Sequence, residues 1–195
     1  MYTESDFYGY RRLDFTFEDK DAVLVLPHTP RKDGKWLFKT EYFGAFPELE
    51  LAMLARGYHL AHVQNGTRWG DPRDTERQAR YAEYLQKEHG LAASCLPVGM
   101  SCGGMQAIYL AARFPSLTAA VYLDAPVINL LSCPFGLGLP VAAREAFSSE
   151  FIAHRGLTLS DMLSYRAHPL DFIPAMIAHR IPVMLTAGDA DSVVP

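Results

Sequence analysis

The chain has 195 residues, of which 49% are hydrophobic, and its 18 Lys and Arg residues against 22 Asp and Glu residues leave a net charge of -4. This composition predicts a single globular domain over residues 1–195 and excludes a largely disordered chain. Since no long basic run is present to follow phosphates, the chain is not expected to bind nucleic acid.

The first predicted elements are two strands and a long loop. Residues 8–17 predict an antiparallel strand, and the uninterrupted apolar run 22–26 is typical of a strand that is buried on both faces. We expect residues 22–26 to be the first strand of a parallel sheet. The segment 28–44 then predicts a long loop at the carboxyl end of that strand.

Helices and strands alternate from there on. Pro47 and Gly57 are placed to begin and end one helix, and Asp71 and Gly90 are placed to cap the two ends of another. The alternation predicts an α/β fold, a mostly parallel sheet that is covered by helices on both faces. The remaining strands are predicted at residues 58–63, 91–98, 119–123 and 181–186.

The alternation lapses between the last two predicted strands. Residues 127–180 combine Pro-rich loop with amphipathic segments. We predict that this segment forms a lid or cap inserted within the domain.

A serine lies in a glycine-rich turn, in the sequence Gly99-Met100-Ser101-Cys102-Gly103 between a predicted strand and a predicted helix. Such a turn holds its serine in a strained conformation, and glycines two positions away on each side leave room for it. The pattern predicts Ser101 as a nucleophile that projects from the sheet. The backbone N–H of Cys102, at the helix start, is predicted to donate to an oxyanion.

Two other interpretations of this turn stay open. A glycine-rich turn can simply let a strand and a helix pack closely, without any chemistry. Cys102 is an alternative nucleophile, because a helix terminus lowers the pKa of a thiol. The turn geometry favours the residue between the glycines and makes Cys102 a small packed side chain.

On these residues the chain resembles the α/β-hydrolase family, in particular its small bacterial prolyl-oligopeptidase-like serine hydrolases, over residues 22–195. The resemblance implies the α/β-hydrolase fold and a catalytic triad in the order serine, acid, histidine. The turn from Gly188 to Pro195 is similar to the family's G-x-x-D-x-x-V-P turn, which implies Asp191 as the acid that orients the histidine. Asp124, at the end of the strand after the serine's helix, is the alternative acid.

The family's histidine follows the acid, whereas every histidine of this chain precedes Asp191. We expect structural or surface roles for them, with His28 as the strongest exception because it follows the first parallel strand. The chain is therefore expected to be a fragment that lacks the final strand, the histidine loop and the closing helix. Ser101 without a base is a weak nucleophile. The seven histidines are His28, His59, His62, His89, His154, His168 and His179.

The segment 28–44 lies where the family takes its second oxyanion amide, and its aromatic residues suit a pocket wall. Trp36, Lys39 and Glu41 are its candidate substrate-binding residues. Lys39 and Glu41 could recognise a polar or acidic substrate, or they could be solvated loop charges.

These features predict a serine hydrolase that cleaves a small-molecule ester or amide through an acyl-enzyme. One alternative is a non-catalytic binding protein, a pseudoenzyme that keeps the fold and lacks the base. An acyltransferase or lyase on the same scaffold is a third. Neither a P-loop nor a dinucleotide-binding motif is present, so we expect no organic cofactor and no metal.

The cysteines and the N-terminus bear on location. Cys95, Cys102 and Cys133 are odd in number and lack the paired spacing of a zinc ribbon or a disulfide scaffold. The N-terminus has neither the basic start nor the apolar core of a signal peptide, and the longest apolar stretch is interrupted by Asp, Asn and Pro. We expect a cytoplasmic protein with no membrane span.

Overall fold

An eight-stranded sheet runs through the computed structural model, which describes residues 2–138 and 140–194, with strand order β1-β2-β3-β5-β4-β6-β7-β8. The strands are β1 (Thr3–Phe7), β2 (Tyr10–Phe17), β3 (Lys20–Leu26), β4 (Trp36–Lys39), β5 (His59–Val63), β6 (Leu96–Met100), β7 (Val121–Asp124) and β8 (Val183–Thr186). The helices are α1 (Glu48–Leu54), α2 (Pro72–His89), α3 (Cys102–Arg113), α4 (Arg144–Arg155), α5 (Leu159–Met162) and α6 (Ile173–Ala178), with short 3-10 turns at Pro115–Leu117 and Pro169–Phe172.

The pairing of β4 to β8 is parallel throughout, which confirms the prediction of a mostly parallel sheet. The strand predicted at residues 22–26 exists as β3, but its predicted direction is wrong: β3 pairs antiparallel with both β2 and β5. A strand that is buried on both faces is apolar along its whole length in either direction. The apolar run therefore indicates burial and carries no information about direction.

The segment 28–44 is not the continuous loop that we predicted, because residues 36–39 form β4 in the middle of the sheet. All four residues of β4 are buried. The charge of Lys39 hides this strand in the sequence, and the structure accommodates it by pairing the Lys39 ammonium with the buried carboxylate of Glu50 in α1. As a result only the residues after Lys39 reach the carboxyl ends of the parallel strands.

Helices cover both faces of the sheet, as predicted. Leu54 of α1 packs against strands β3, β4 and β5 on one face, and Tyr81 of α2 lies in the core on the other. The predicted boundaries of α2 are confirmed: the Asp71 carboxylate accepts a hydrogen bond from the Arg73 N–H, and Gly90 ends the helix with a φ of 66°.

The predicted cap segment holds α4, α5 and α6. Phe151 of α4 packs against Trp69 in a cluster that also contains Cys102. Met176 of α6 packs instead on Ile108 of α3, within the helix layer that covers the sheet. Movement of this segment as a lid stays a prediction.

Strand β8 forms one edge of the described sheet. Its apolar side chains Val183, Met184 and Leu185 are 47%, 63% and 51% exposed. No helix in the described part of the chain combines the length and apolar character needed to cross a membrane.

Candidate active site

Ser101 occupies the turn between β6 and α3, and its backbone is held from two sides. Its N–H donates to the carbonyl oxygen of Asp124 at 3.0 Å, and its carbonyl oxygen accepts from the N–H groups of Gly104 and Val127, each at 3.0 Å. Ser101 has φ 53° and ψ -122°, a conformation that L-residues rarely adopt and that is typical of functional sites. The predicted strand–turn–helix is therefore confirmed, strain included.

The glycines around Ser101 are packed too tightly to carry side chains. A Cβ on Gly99 would lie 2.3 Å from the carbonyl oxygen of Gly103, and one on Gly104 would lie 2.5 Å from the Cβ of Pro126. A Cβ on Gly103 would meet the Cβ of Glu41 at 3.0 Å. The glycines at 99 and 103 were expected for this reason, and the close approach of Glu41 to the turn was not.

Cys102 begins α3 and buries its side chain. The residue is 3% exposed and packs beside Val127 and Cys133. Burial raises the pKa of the Cys102 thiol to about 11, although the nearby Tyr42 phenol lowers it in part. The thiol is therefore protonated at neutral pH, which disfavours Cys102 as the nucleophile. Ser101 places no side-chain cap on α3, so its hydroxyl does not occupy a donor at the start of the helix.

Tyr42 lies beside this turn. It is one of the aromatic residues of the segment 28–44 that we expected to form a pocket wall, but the sequence analysis assigned it no role at Ser101. Its φ of 53° is rare for an aromatic residue, and it packs against the cluster that contains Cys102. Burial, together with the neighbouring Cys102 thiol, raises the pKa of Tyr42 above its usual value. The phenol consequently stays a hydrogen-bond donor through the neutral pH range.

Arg68, in the loop after β5, connects that loop to the cap segment. Its guanidinium forms an ion pair with Glu150 of α4 and lies over the rings of Trp69 and Phe147, at 5.3 and 5.2 Å from their centroids. Arg155 of α4 adds a hydrogen bond of 2.8 Å to the Trp69 carbonyl oxygen. Helix α4 is thus attached to the loop after β5 by two arginines.

Asp191 lies on the side of the sheet where α3 and α4 pack. Its Oδ1 accepts hydrogen bonds from the N–H groups of Val193 and Val194, at 2.8 and 3.0 Å. Burial raises the pKa of the Cys133 thiol to about 12, and the nearby Asp191 carboxylate adds to the rise. Val194, whose N–H is bonded to that carboxylate, packs against the cluster that contains Cys102, so Asp191 lies near the cluster that borders Ser101.

Asp124, the alternative acid, lies at the end of β7, next to Met100 of β6. Its Oδ1 accepts a hydrogen bond of 3.0 Å from the Thr186 hydroxyl. The residue lines a cavity of about 390 Å³ on the α1 side of the sheet, together with Lys39 and Glu50. The two candidate acids thus have different surroundings.

No histidine in the described residues is hydrogen-bonded to Ser101 or to either candidate acid. His28 lies after β3, which runs antiparallel to β5, so it is at the end of the sheet away from Ser101. Its ring stacks on Tyr10 at 4.6 Å. The antiparallel direction of β3 therefore removes His28 as a base. The structural role expected for His62 is observed, since its Nδ1 hydrogen-bonds to the Lys39 carbonyl oxygen at 2.8 Å.

Two of the candidate substrate-binding residues lie in the core, which corrects the sequence-based expectation. Trp36 is 1% exposed at the start of β4, and its Nε1 donates to the Ala92 carbonyl oxygen at 3.0 Å. Ser101 lies at the opposite end of the adjacent strand, so Trp36 cannot line a pocket there. Lys39 is 4% exposed and paired with Glu50. Neither residue is a solvated loop residue, because both belong to the central strand β4.

Glu41 is the one candidate of this group that lies at the turn. Its Oε2 accepts hydrogen bonds from Asn65 Nδ2 at 3.0 Å and from Gln106 Nε2 at 2.8 Å.

Among the described residues, no cluster of His, Cys, Asp and Glu side chains has the arrangement of a metal site.

Comparisons with known proteins identify the fold. No protein-family model matches the sequence, and no curated protein matches it. Among solved structures, a puromycin hydrolase superposes with a TM-score of 0.67 and 24% identity, over 95% of this chain and 31% of that chain. The chain therefore spans about a third of the length of that protein.

Two further structures match over more of their own length. An esterase from the bacterial hormone-sensitive lipase family has a TM-score of 0.59 and 16% identity, over 91% of this chain and 73% of that chain. The α/β-hydrolase enzyme MGS-M2, from a Medee basin deep-sea metagenome library, has a TM-score of 0.54 and 14% identity, over 93% and 81%. At these identities the likeness concerns the fold alone.

Proposed function

We propose that this chain, which has the α/β-hydrolase fold, carries the nucleophile of a serine hydrolase acting on a small-molecule ester or amide. The observation that supports this most directly is Ser101 itself. It is held at φ 53° between a strand and a helix, and its neighbour Gly99 has no room for a side chain. Backbone strain of this kind is typical of functional sites.

In the proposed reaction, Ser101 Oγ forms a bond to the substrate carbonyl carbon as its proton passes to a base. The base then protonates the leaving alcohol or amine, and water releases the acyl group. The backbone N–H of Cys102 is one oxyanion donor, at the start of α3 where the helix dipole favours negative charge. The second oxyanion donor comes from residues 40–44, and the half-buried Tyr42 phenol is an O–H donor within that segment.

The acid in this proposal is Asp191. Two backbone N–H groups fix its Oδ1 and leave Oδ2 without a bond among the described residues, as a carboxylate that orients an imidazole requires. Asp124 is committed to Thr186 on the α1 side of the sheet. In this proposal the histidine is supplied by polypeptide outside this chain; the described imidazoles that form hydrogen bonds, those of His62, His89 and His168, bond to groups other than Ser101 and Asp191.

Labelling with a fluorophosphonate probe tests the nucleophile in the full natural polypeptide that contains this chain. We expect the wild type to be labelled and Ser101→Ala to be unlabelled. Ser149→Ala, at an exposed position of α4, is the matched control and should be labelled like the wild type. Equal labelling of Ser101→Ala and the wild type would rule out Ser101.

A pair of substitutions tests the acid. We expect Asp191→Asn to lower the labelling rate constant by about four orders of magnitude if it holds the wrong histidine tautomer. Asp124→Asn retains an acceptor for Thr186 and should change the rate little. A larger loss in Asp124→Asn would transfer the acid role to Asp124.

The second candidate function is a non-catalytic binding protein on the same fold. The absence of a described imidazole at Ser101 favours it. Failure of the full polypeptide to react with the probe, despite a folded domain, would support this alternative over the hydrolase.

A further inference from the structure

A network of polar side chains lies directly behind the turn at Ser101, where α2, α3, β4 and the loop after β5 meet. Burying polar groups is costly unless each is hydrogen-bonded, so a network of this kind holds its members in one arrangement. Its members are Thr40, Glu41, Asn65, Gln78 and Gln106, of which Thr40, Gln78 and Gln106 are at most 1% exposed.

Glu41 is the acceptor at the centre of this network. Asn65 and Gln106 donate to its Oε2 at 3.0 and 2.8 Å. The Gln106 amide cannot turn round freely, because its Oε1 accepts from Gln78 Nε2 at 2.9 Å. Within the described residues Glu41 has no ion-pair partner. Both donors to Oε2 are therefore neutral amides, and they come from two segments that are distant in sequence from Glu41.

The same network ties the chain at residues 40–42 to the turn. The Thr40 hydroxyl donates to the Gly103 carbonyl oxygen at 2.7 Å, and Asn65 donates to the Thr40 carbonyl oxygen at 2.7 Å. Glu41 Oε1 accepts from the Tyr42 N–H at 3.4 Å. Tyr42 follows at once, with its φ of 53°. A strained residue persists only where its surroundings determine it, and here those surroundings include the bonds of Thr40 and Glu41, together with the hydrogen bond of 3.0 Å that the Tyr42 carbonyl oxygen accepts from the Ala45 N–H.

We propose that Glu41 is a positioning residue that holds Tyr42 in its left-handed conformation, with the phenol beside the Ser101 turn. Glu41 does this by joining the start of the Tyr42 segment to α3 through Gln106. The proposal rests on the proposed function, in which Tyr42 donates to the oxyanion. According to this proposal, Glu41 needs its acceptor oxygens and does not need its negative charge.

An alternative role for Glu41, binding a cationic group of the substrate, is less well supported. Its Oε2 already accepts two hydrogen bonds, and its Cβ packs against Gly103. A substrate-binding carboxylate needs its charge, whereas a positioning residue needs only its acceptors. Glu41→Gln separates these roles, because it removes the charge while its amide oxygen can keep the two bonds that Oε2 accepts; only the long bond of 3.4 Å from the Tyr42 N–H is lost.

The test measures the rate and the amplitude of fluorophosphonate labelling separately, in the full natural polypeptide. We expect Glu41→Leu to slow the bond-forming step by about 100-fold, the scale of a displaced catalytic group, with little change in probe binding. Glu41→Gln should react close to the wild-type rate. Glu48→Leu, the same change at an exposed position of α1, should be indistinguishable from the wild type.

A double substitution identifies the residue through which Glu41 acts. Tyr42→Phe should slow labelling by about 100-fold, the cost of losing one oxyanion donor. If Glu41 acts by positioning Tyr42, Glu41→Leu combined with Tyr42→Phe should be no slower than Tyr42→Phe alone. Independent losses that multiply would overturn the proposal, and so would a wild-type rate in Glu41→Leu.

A purely structural role for Glu41 predicts a different result. Fewer molecules would then be folded and labelled, but each folded molecule would react at the wild-type rate. If Glu41→Leu does not fold, Gln106→Met can be tested instead. This substitution removes one donor to Glu41 and should also slow the bond-forming step. Labelling that persists in Ser101→Ala contradicts the proposed function itself, which distinguishes that failure from failure of the Glu41 proposal.

Discussion

The backbone N–H of Ser101 donates a hydrogen bond of 3.0 Å to the carbonyl oxygen of Asp124, which ties the turn after β6 to the end of β7. The Ser101 carbonyl oxygen is bonded in turn to the Val127 N–H, just beyond β7. Both backbone polar groups of Ser101, its N–H and its carbonyl oxygen, are consequently bonded to the end of β7 or to the residues just beyond it. These bonds maintain a φ of 53° that the serine would not adopt alone.

The backbone strain at Ser101 should be measurable as a difference in the free energy of unfolding between two substitutions. Glycine tolerates a positive φ and alanine does not, while both remove the hydroxyl. We expect Ser101→Gly to be more stable than Ser101→Ala by about 1–2 kcal/mol, the strain of one residue less the greater entropy of an unfolded glycine. Urea unfolding of the two variants measures the difference. An alanine variant as stable as the glycine variant would show that the turn is unstrained.

Gly99→Ala should be strongly destabilising. The new Cβ would lie 2.3 Å from the Gly103 carbonyl oxygen, which is backbone and cannot rotate away. We expect a loss of about 3 kcal/mol in the free energy of unfolding. Gly188→Ala is the matched control, since its Cβ would find its nearest neighbours at 3.9 Å. Similar losses in both variants would contradict the packing explanation.

The ion pair between Arg68 and Glu150 should hold α4 against the loop after β5. Both side chains are about one-third exposed, so Glu150→Gln should cost the whole domain at most about 1 kcal/mol. Locally, however, hydrogen exchange of α4 should accelerate while α2 is unaffected. Glu145→Gln removes a charge from the exposed first turn of the same helix and should leave exchange unchanged. Equal exchange in both variants would mean that the pair does not restrain α4.

His62 should make the domain sensitive to acid. Burial lowers the pKa of His62 below its usual value, so the unfolded chain binds a proton at this residue before the folded one does. Its contribution to stability is therefore complete above pH about 6.5 and is lost as the pH falls.

Unfolding measurements at neutral and acidic pH test this contribution. His62→Gln should lose less stability than the wild type between about pH 7.5 and pH 5, the range in which histidine titrates. His179→Gln, at an exposed position, should keep the wild-type dependence. A parallel loss in His62→Gln and the wild type would assign the acid sensitivity to other groups.

Local signals were sufficient for several features of this protein. The boundaries of α2 follow from Asp71 and Gly90, whose capping geometry involves only nearby residues. The turn at Ser101 likewise follows from its flanking glycines, because a sharp strand-to-helix turn of this kind requires small residues at those positions. The Asp191 turn was located by its similarity to the family's turn, and in the structure its carboxylate accepts hydrogen bonds from the N–H groups two and three residues further on.

Only the tertiary structure decided how these local pieces meet. Because Lys39 pairs with the buried Glu50, a charged segment can form the central strand β4. Trp36, at the start of that strand, consequently lies at the end of the sheet away from Ser101. The partners of Glu41, Asn65 and Gln106, are 24 and 65 residues away along the chain. Periodicity and capping report on neighbours within a few residues, whereas these contacts exist only once distant segments pack together. The sequence by itself therefore located the serine and its turn, and the packing of distant segments determined the surroundings in which that serine lies.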